Sequence, residues 1–381
     1  MNTVSVPVNE PRLLETFLAL LRFNTPSRHE KPATDFCADY LRNLGFTITF
    51  DDAGEKVGGN ASNLFAFKAG TVVGAPPIFF SSHLDTVEAT PNIEISVIDG
   101  VVRSVSDTIL GADDTSGVAP ILEAMTFLAE SGEAHGDIQV ILTICEEIGL
   151  VGAKQIDPAN IKARYGFVLD GGPPMGGVTI TAPSQNNLRV RVVGKPSHAG
   201  GSPELGINAI AAAASAIHFI KQGRIDPETT ANIGTIQGGT ARNIVPAEAF
   251  IVAEARSRDN EKLAKQTAHM VEIFEREATA IGARAEIEVE EGYRTYRLNA
   301  DDPVIGIAQT AAKTCGYPFA LRESGGGSDA NIFNALGVPT CVLACGMQAI
   351  HTHDEFCEVA DLVKSAAWVV EIVRVARRFS S

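Results

Sequence analysis

Four short apolar runs constrain this chain more than any other feature. They lie at residues 77–82 (PIFFSS), 138–145 (IQVILTIC), 166–169 (GFVL) and 340–344 (TCVLA). None alternates apolar with charged residues, which is the pattern of strands covered on both faces of a sheet. A helical stretch at 117–130 (GVAPILEAMTFLAE) separates the first two. Upstream, residues 12–24 and 31–45 repeat apolar residues at spacings of three and four, and strand-like runs follow at 46–50 and 63–67. Strands alternating with helices predict a mostly parallel, layered α/β sheet.

The pattern changes near residue 184. Residues 188–193 (LRVRVV), 249–255 and 285–289 alternate in a two-residue period, as expected of an antiparallel sheet with one wet face. Long helical patterns fall between them at 204–221 and 260–281, which together predict a small α+β sandwich. The α/β character returns after residue 300 and ends in an apolar helix around Trp368. The simplest organisation is one domain inserted into another: an outer domain of 1–183 plus 299–381, and an insert of 184–298.

Composition removes several functional classes. The 381 residues include 31 Lys plus Arg against 46 Asp plus Glu, a net charge of -15, which argues against a nucleic-acid partner held by a basic surface. The longest nearly apolar run, 206–220, is too short to cross a bilayer and contains Asn208 and His218, so no membrane partner is expected. Six scattered cysteines without a CxxC fit reduced thiols, and the N-terminus shows no signal-peptide pattern. A cytoplasmic location is the expectation.

In an open α/β sheet, ligand groups collect beyond the carboxyl ends of the strands. Each such place here carries titratable residues: His83 and Asp85; Asp113 and Asp114 at the start of a helix; Glu146 and Glu147; Asp170; and the stretch His351-Thr352-His353-Asp354-Glu355. Singly, these are ordinary loop, N-cap and turn residues. Together, so many carboxylates converging on one sheet edge would repel one another without cations. Imidazole with carboxylate suits zinc, with cobalt or manganese as alternatives. Charge counting favours two divalent ions, since two dications against three carboxylates and a bridging hydroxide leave the cluster neutral.

The motifs SSHLDTV, LGADDTSG, TICEEIGLVGA, LDGG and IHTHDEF resemble those of the M20 metallopeptidases, and SGGGSDANIF (324–333) is most similar to the peptidase T branch, the tripeptide aminopeptidases. The resemblance covers nearly the whole chain. It implies a zinc-exopeptidase-like catalytic domain and an inserted lid, with a homodimer formed through that lid. It implies that His83 and Asp170 hold one metal, Glu147 and His351 the other, and that Asp113 bridges them. Asp85 would orient the His83 imidazole, and Glu146 would act as general base. Thr115 stands where the family usually has Lys.

For the insert, the resemblance assigns His198, in KPSHAG, to oxyanion stabilisation and places Asn243 beside the substrate cleft. Arg256 fits a guanidinium that clamps a peptide carboxylate, with an ion pair to a neighbouring Glu as the competing reading. The backbone of Gly325, Gly326 and Gly327 is suited to close approach by a substrate. His353 reads as an exposed loop residue and Cys145 as a strand residue without a nucleophile's role. The expected activity is hydrolysis of short peptides. An N-acyl amino acid amidohydrolase or carboxypeptidase is the first alternative, and a non-enzymatic metal-binding module the second.

Overall fold

The computed structural model describes residues 8–379. Residues 1–7, part of the stretch read above for a signal peptide, lie outside the described residues. The chain divides into two compact units: the chain through Ile180 with Arg297–Glu323 and the segment from Ser328 onward, and Thr181–Tyr296 with Ser324–Gly327.

In the first unit the four apolar runs form the centre of a nine-stranded sheet. Ile138–Thr143, Ile78–His83, Tyr165–Gly171 and Thr340–Ala344 lie side by side in that order, all parallel. Every residue of Ile78–His83, Ile138–Thr143 and Thr340–Ala344 is buried, which explains why their sequences show no alternation. Leu64–Lys68 and Thr47–Phe50 extend one side antiparallel, and Gly177–Ala182 pairs antiparallel on the other. Helix Ala112–Ser131 packs on the central strands and against helices Glu10–Leu21 and Val359–Ala376. Its close approach depends on Gly117, where a Cβ would fall 2.2 Å from the Leu169 carbonyl oxygen. Trp368, on the last helix, is fully buried.

A four-stranded sheet of Met347–Gln348, Phe356–Glu358, Val101–Ser104 and Ile95–Ile98 was not legible from sequence. It ties the loop that carries His351, between its first two strands, to the segment that leads into Asp113.

The second unit is an antiparallel sheet in the order Gly223–Arg224, Thr229–Gly238, Glu248–Ser257, Ser184–Val193, Arg284–Tyr293. Helices Ala209–Phe219 and Asn260–Ala280 cover one face, where Leu188, Val190, Ile251 and Ala253 meet Ala212, Ala216, Met270 and Phe274. The opposite face carries the alternate residues, including Arg189 paired with Glu290 at 3.0 Å and Arg191 with Glu286 at 2.9 Å. The first helix begins later than its periodicity suggests. Pro203–Leu205 forms a separate 3-10 turn, and the Asn208 side chain caps the helix by accepting the Ala211 N–H at 3.0 Å. Among the described residues, no helix is long and apolar enough to cross a membrane.

Candidate metal centre

The parallel strands deliver their last residues to one edge of the first unit. His83 ends Ile78–His83, Glu146 and Glu147 follow Ile138–Thr143, and Asp170 lies at the end of Tyr165–Gly171. Asp113 enters at the start of helix Ala112–Ser131, where Asp113 and Asp114 depart from helical dihedrals, so the regular helix begins after them. His351 arrives on the loop secured by the four-stranded sheet.

These side chains fall into two groups that share one member. His83, Asp113 and Asp170 offer ligand atoms within 4.8 Å of one another, and so do Asp113, Glu147 and His351. Asp113 faces both ways: Oδ1 lies 3.1 Å from His83 Nε2 and Oδ2 lies 3.1 Å from His351 Nε2. His351 Nε2 is also 3.1 Å from Glu147 Oε1. Asp114 points elsewhere, accepting the Ser82 hydroxyl at 2.5 Å. This donor set fits a pair of dications. His83 Nδ1 donates to the Asp85 carbonyl oxygen at 2.9 Å, which leaves the Nε2 lone pair facing the cluster.

Without cations the cluster stabilises protons instead. Hydrogen bonds to Asp113 and Glu147 push the His351 imidazole up to about 10. Burial disfavours charge on His83, yet its bonds to Asp113 and Asp85 raise it well above the usual imidazole value. Burial also opposes charge on Asp113, but the two imidazoles hold it below the usual carboxylate range. Asp170 and Glu146 move the other way, raised by burial and then by neighbouring carboxylates despite the attraction of His83. A site in which some carboxyls hold protons and others surrender them to imidazoles is one that dications would relieve.

The Asp85 carboxylate does more than face the imidazole, from which its Oδ1 lies 3.5 Å. Fully buried, it accepts the Glu146 N–H at 2.9 Å, the Glu147 N–H at 3.1 Å and the Ser27 hydroxyl at 2.6 Å. It therefore fixes the backbone of both glutamates. Two further carboxylates take part to which the sequence assigned no role. Glu355 is buried and accepts the N–H groups of Gly111 at 2.7 Å and Asp113 at 2.9 Å, and burial pushes its carboxyl up to about 7. Asp329 is buried, accepts the Thr143 hydroxyl at 2.5 Å, and is pushed by burial up to about 6. Asp329 sits within the glycine-rich motif 324–333, and Glu355 ends the stretch that carries His351.

His353 is exposed but not idle, bridging Asp107 and Glu88 at 3.1 Å each. Cys145 is buried, and desolvation with the neighbouring Glu30 raises its thiol, so it stays protonated at neutral pH.

The remaining candidates belong to the second unit. His198 is exposed, and its Nδ1 accepts the N–H groups of Gly200 at 3.1 Å and Gly201 at 2.9 Å, which leaves Nε2 as the protonated, donating nitrogen of the neutral ring. Asn243 is exposed, and its main-chain carbonyl oxygen accepts the Ala199 N–H at 3.0 Å. Arg256 forms a two-pronged ion pair with Glu254, at 3.0 and 2.9 Å, so the competing reading of this residue is the arrangement found. In the glycine loop, Gly326 N–H donates to Ser324 Oγ at 3.0 Å and Gly327 N–H to the Tyr293 hydroxyl at 3.1 Å, so two of the three amides already have partners. Gly325 has open space where a Cβ would stand.

A parallel sheet with clustered His, Asp and Glu at its carboxyl edge defines the class: hydrolases that work through metal ions at strand ends. The chain belongs to peptidase family M20/M25/M40, whose family model matches residues 79–375. It is 42% identical to the Bacillus subtilis YqjE protein over 97% of this chain and 100% of that one. Among solved structures, it is similar to the aminopeptidase PepT from Bacillus cereus, with a TM-score of 0.87 and 40% identity over 97% of this chain and 99% of that one. It is also similar to a tripeptidase from Staphylococcus aureus, with a TM-score of 0.92 and 36% identity over 98% and 100% of the two chains. The chain is thus an M20 family peptidase.

Proposed function

We propose that this peptidase is a cytoplasmic tripeptide aminopeptidase with two divalent ions, zinc first. His83 and Asp170 would hold one ion, Glu147 and His351 the other, with Asp113 serving both. When bound, such ions polarise a peptide carbonyl and lower the pKa of water toward neutrality. The observation that carries the reading is Asp113, one carboxylate with an imidazole Nε2 at 3.1 Å from each oxygen.

The residues around that centre supply the rest. Asp85 fixes the backbone of Glu146 so that its carboxylate takes a proton from the attacking water and returns it to the leaving amine. His198, donating through Nε2, serves the developing oxyanion. Asn243, Arg256 and the Gly325–Gly327 loop serve peptide recognition. The second unit acts as a lid and as the contact surface of a homodimer. The tripeptide preference draws on similarity to the Bacillus cereus and Staphylococcus aureus proteins.

The test is product release from Ala-Ala-Ala, Ala-Ala and N-acetyl-Ala by the zinc-loaded enzyme. Tripeptide cleavage that frees the N-terminal residue, and that is lost in Glu146→Gln with metal content unchanged, supports the reading. Turnover of N-acetyl-Ala alone would reassign the enzyme to the amidohydrolases.

A further inference from the structure

The chain immediately before Glu146 holds an uncommon backbone conformation. Cys145 has φ +54, in the left-handed region, although it is neither Gly nor Asn. Such a residue persists only where its surroundings over-determine it. Here the surroundings include two carboxylates, besides the Val151 N–H that donates to the Cys145 carbonyl oxygen at 3.1 Å. The Cys145 N–H donates to Glu30 Oε1 at 3.1 Å, the Glu146 N–H to Asp85 Oδ1 at 2.9 Å, and the Glu147 N–H to Asp85 Oδ2 at 3.1 Å. Three consecutive amides therefore end on carboxylate oxygens.

Glu30 comes from the loop before helix Lys31–Asn43 and is fully buried. Its Oε1 also accepts the N–H of Arg28 at 2.8 Å and the Cys145 thiol at 3.2 Å. Arg28 is itself left-handed, at φ +76. One oxygen thus secures two unfavourable turns, one in its own loop and one beside the Glu146-Glu147 pair. The same loop supplies Ser27, whose hydroxyl donates to Asp85 Oδ2 at 2.6 Å. Loop and strand end are locked together through Glu30 and Asp85.

We infer that Glu30 is a positioning residue for Glu146: its side chain bonds to Arg28 and Cys145, and it holds Cys145 in the left-handed turn that aims the glutamate pair. The inference rests on the reading of Glu146 as proton carrier. Without the Glu30 oxygen, a buried N–H loses its acceptor and the Cys145 turn loses the bond on its N–H side, so the chain relaxes and the Glu146 carboxylate moves.

The experiment compares the full-length zinc-loaded wild type with Glu30→Ala, Glu30→Gln and Glu30→Asp, by steady-state kinetics on Ala-Ala-Ala and by amide hydrogen exchange over residues 144–148. A misplacement on the order of 1 Å at a catalytic group costs about 100-fold, so Glu30→Ala is expected to lose about that factor in kcat. KM should stay within about twofold, because substrate binding is untouched. Exchange at Cys145–Glu147 should accelerate. Glu30→Gln keeps an acceptor oxygen in place and should restore both protection and most of kcat. Glu30→Asp withdraws the acceptor by one bond, about 1.5 Å, and should behave like the Ala variant, which keeps the test intact should Glu30→Ala fail to fold.

Wild-type protection and kcat in Glu30→Asp, or a Glu30→Gln variant as impaired as Glu30→Asp, would overturn the inference. Exchange is read without substrate. If the wild type proves inactive on tripeptides, the proposed function fails while the exchange arm still decides whether Glu30 sustains the turn.

Discussion

Replacing Asp85 by Ala isolates the residue on which the site's backbone geometry depends. In the wild type this buried carboxylate accepts two consecutive amides and one hydroxyl. Hydrogen bonds to a charged acceptor contribute about 1.5–3 kcal/mol each, and the Ser27 hydroxyl can rotate toward another partner. The two amides cannot, so the substitution should cost about 3–6 kcal/mol, a large part of the roughly 5–15 kcal/mol that holds a typical protein folded. Water entering the space left by the carboxylate sets the lower end of that range. The measurement is urea unfolding of the chelator-treated protein, which separates backbone support from metal loss. Trp368 is the chain's single tryptophan, fully buried in the same unit, so its fluorescence follows that unit's transition. Asp85→Asn, which retains one acceptor, should fall between Ala and wild type. A loss below about 1 kcal/mol in Asp85→Ala would show that the amides of Glu146 and Glu147 do not depend on it, and the account of how the glutamate pair is aimed would be wrong.

Three other outcomes follow from the geometry. In the ion-free protein His351, raised to about 10, and His83, raised as well, both carry protons at pH 7, and ligands bind only after losing them. Zinc binding should therefore release about one proton or more per ion, and its affinity should rise from pH 6 to pH 8; calorimetry in buffers of differing ionisation enthalpy reads this, and a pH-independent affinity would contradict it. Gly327→Ala would place a Cβ 2.3 Å from the Tyr293 ring and should cost about 1–3 kcal/mol by overpacking, seen as a lowered melting transition for the second unit. His198→Ala should lower kcat far more than it alters metal content, and equal loss of both would remove His198 from the chemistry.

The central sheet was legible because full burial leaves a plain signature: six consecutive buried residues in Ile78–His83 leave no position for a charge except the ligand at its end. Three strands of the second unit, Ser184–Val193, Glu248–Ser257 and Arg284–Tyr293, were legible for the opposite reason, since one wet face enforces alternation. Thr229–Gly238 was not, because its half ending in Ile236, Gln237 and Gly238 is exposed and mixes Gly with polar residues. The ligand cluster could be read because each strand end announces itself with His, Asp or Glu. The supporting roles of three buried carboxylates could not: Glu355 accepts the Asp113 amide, Glu30 the Cys145 amide and Asp329 the Thr143 hydroxyl, each brought in from a distant segment. A buried acceptor of N–H groups leaves no periodicity, and only its burial in the folded chain distinguishes it from a surface Glu or Asp.

Metal content per chain after zinc loading, measured by elemental analysis in the wild type, His83→Ala, His351→Ala and Asp113→Ala, tests the central claim most directly. With Asp113 shared between two groups, the wild type should hold about two ions, each His variant should lose chiefly one, and Asp113→Ala should weaken both. A wild type that holds only one ion, or an Asp113→Ala variant that retains two, would contradict the account.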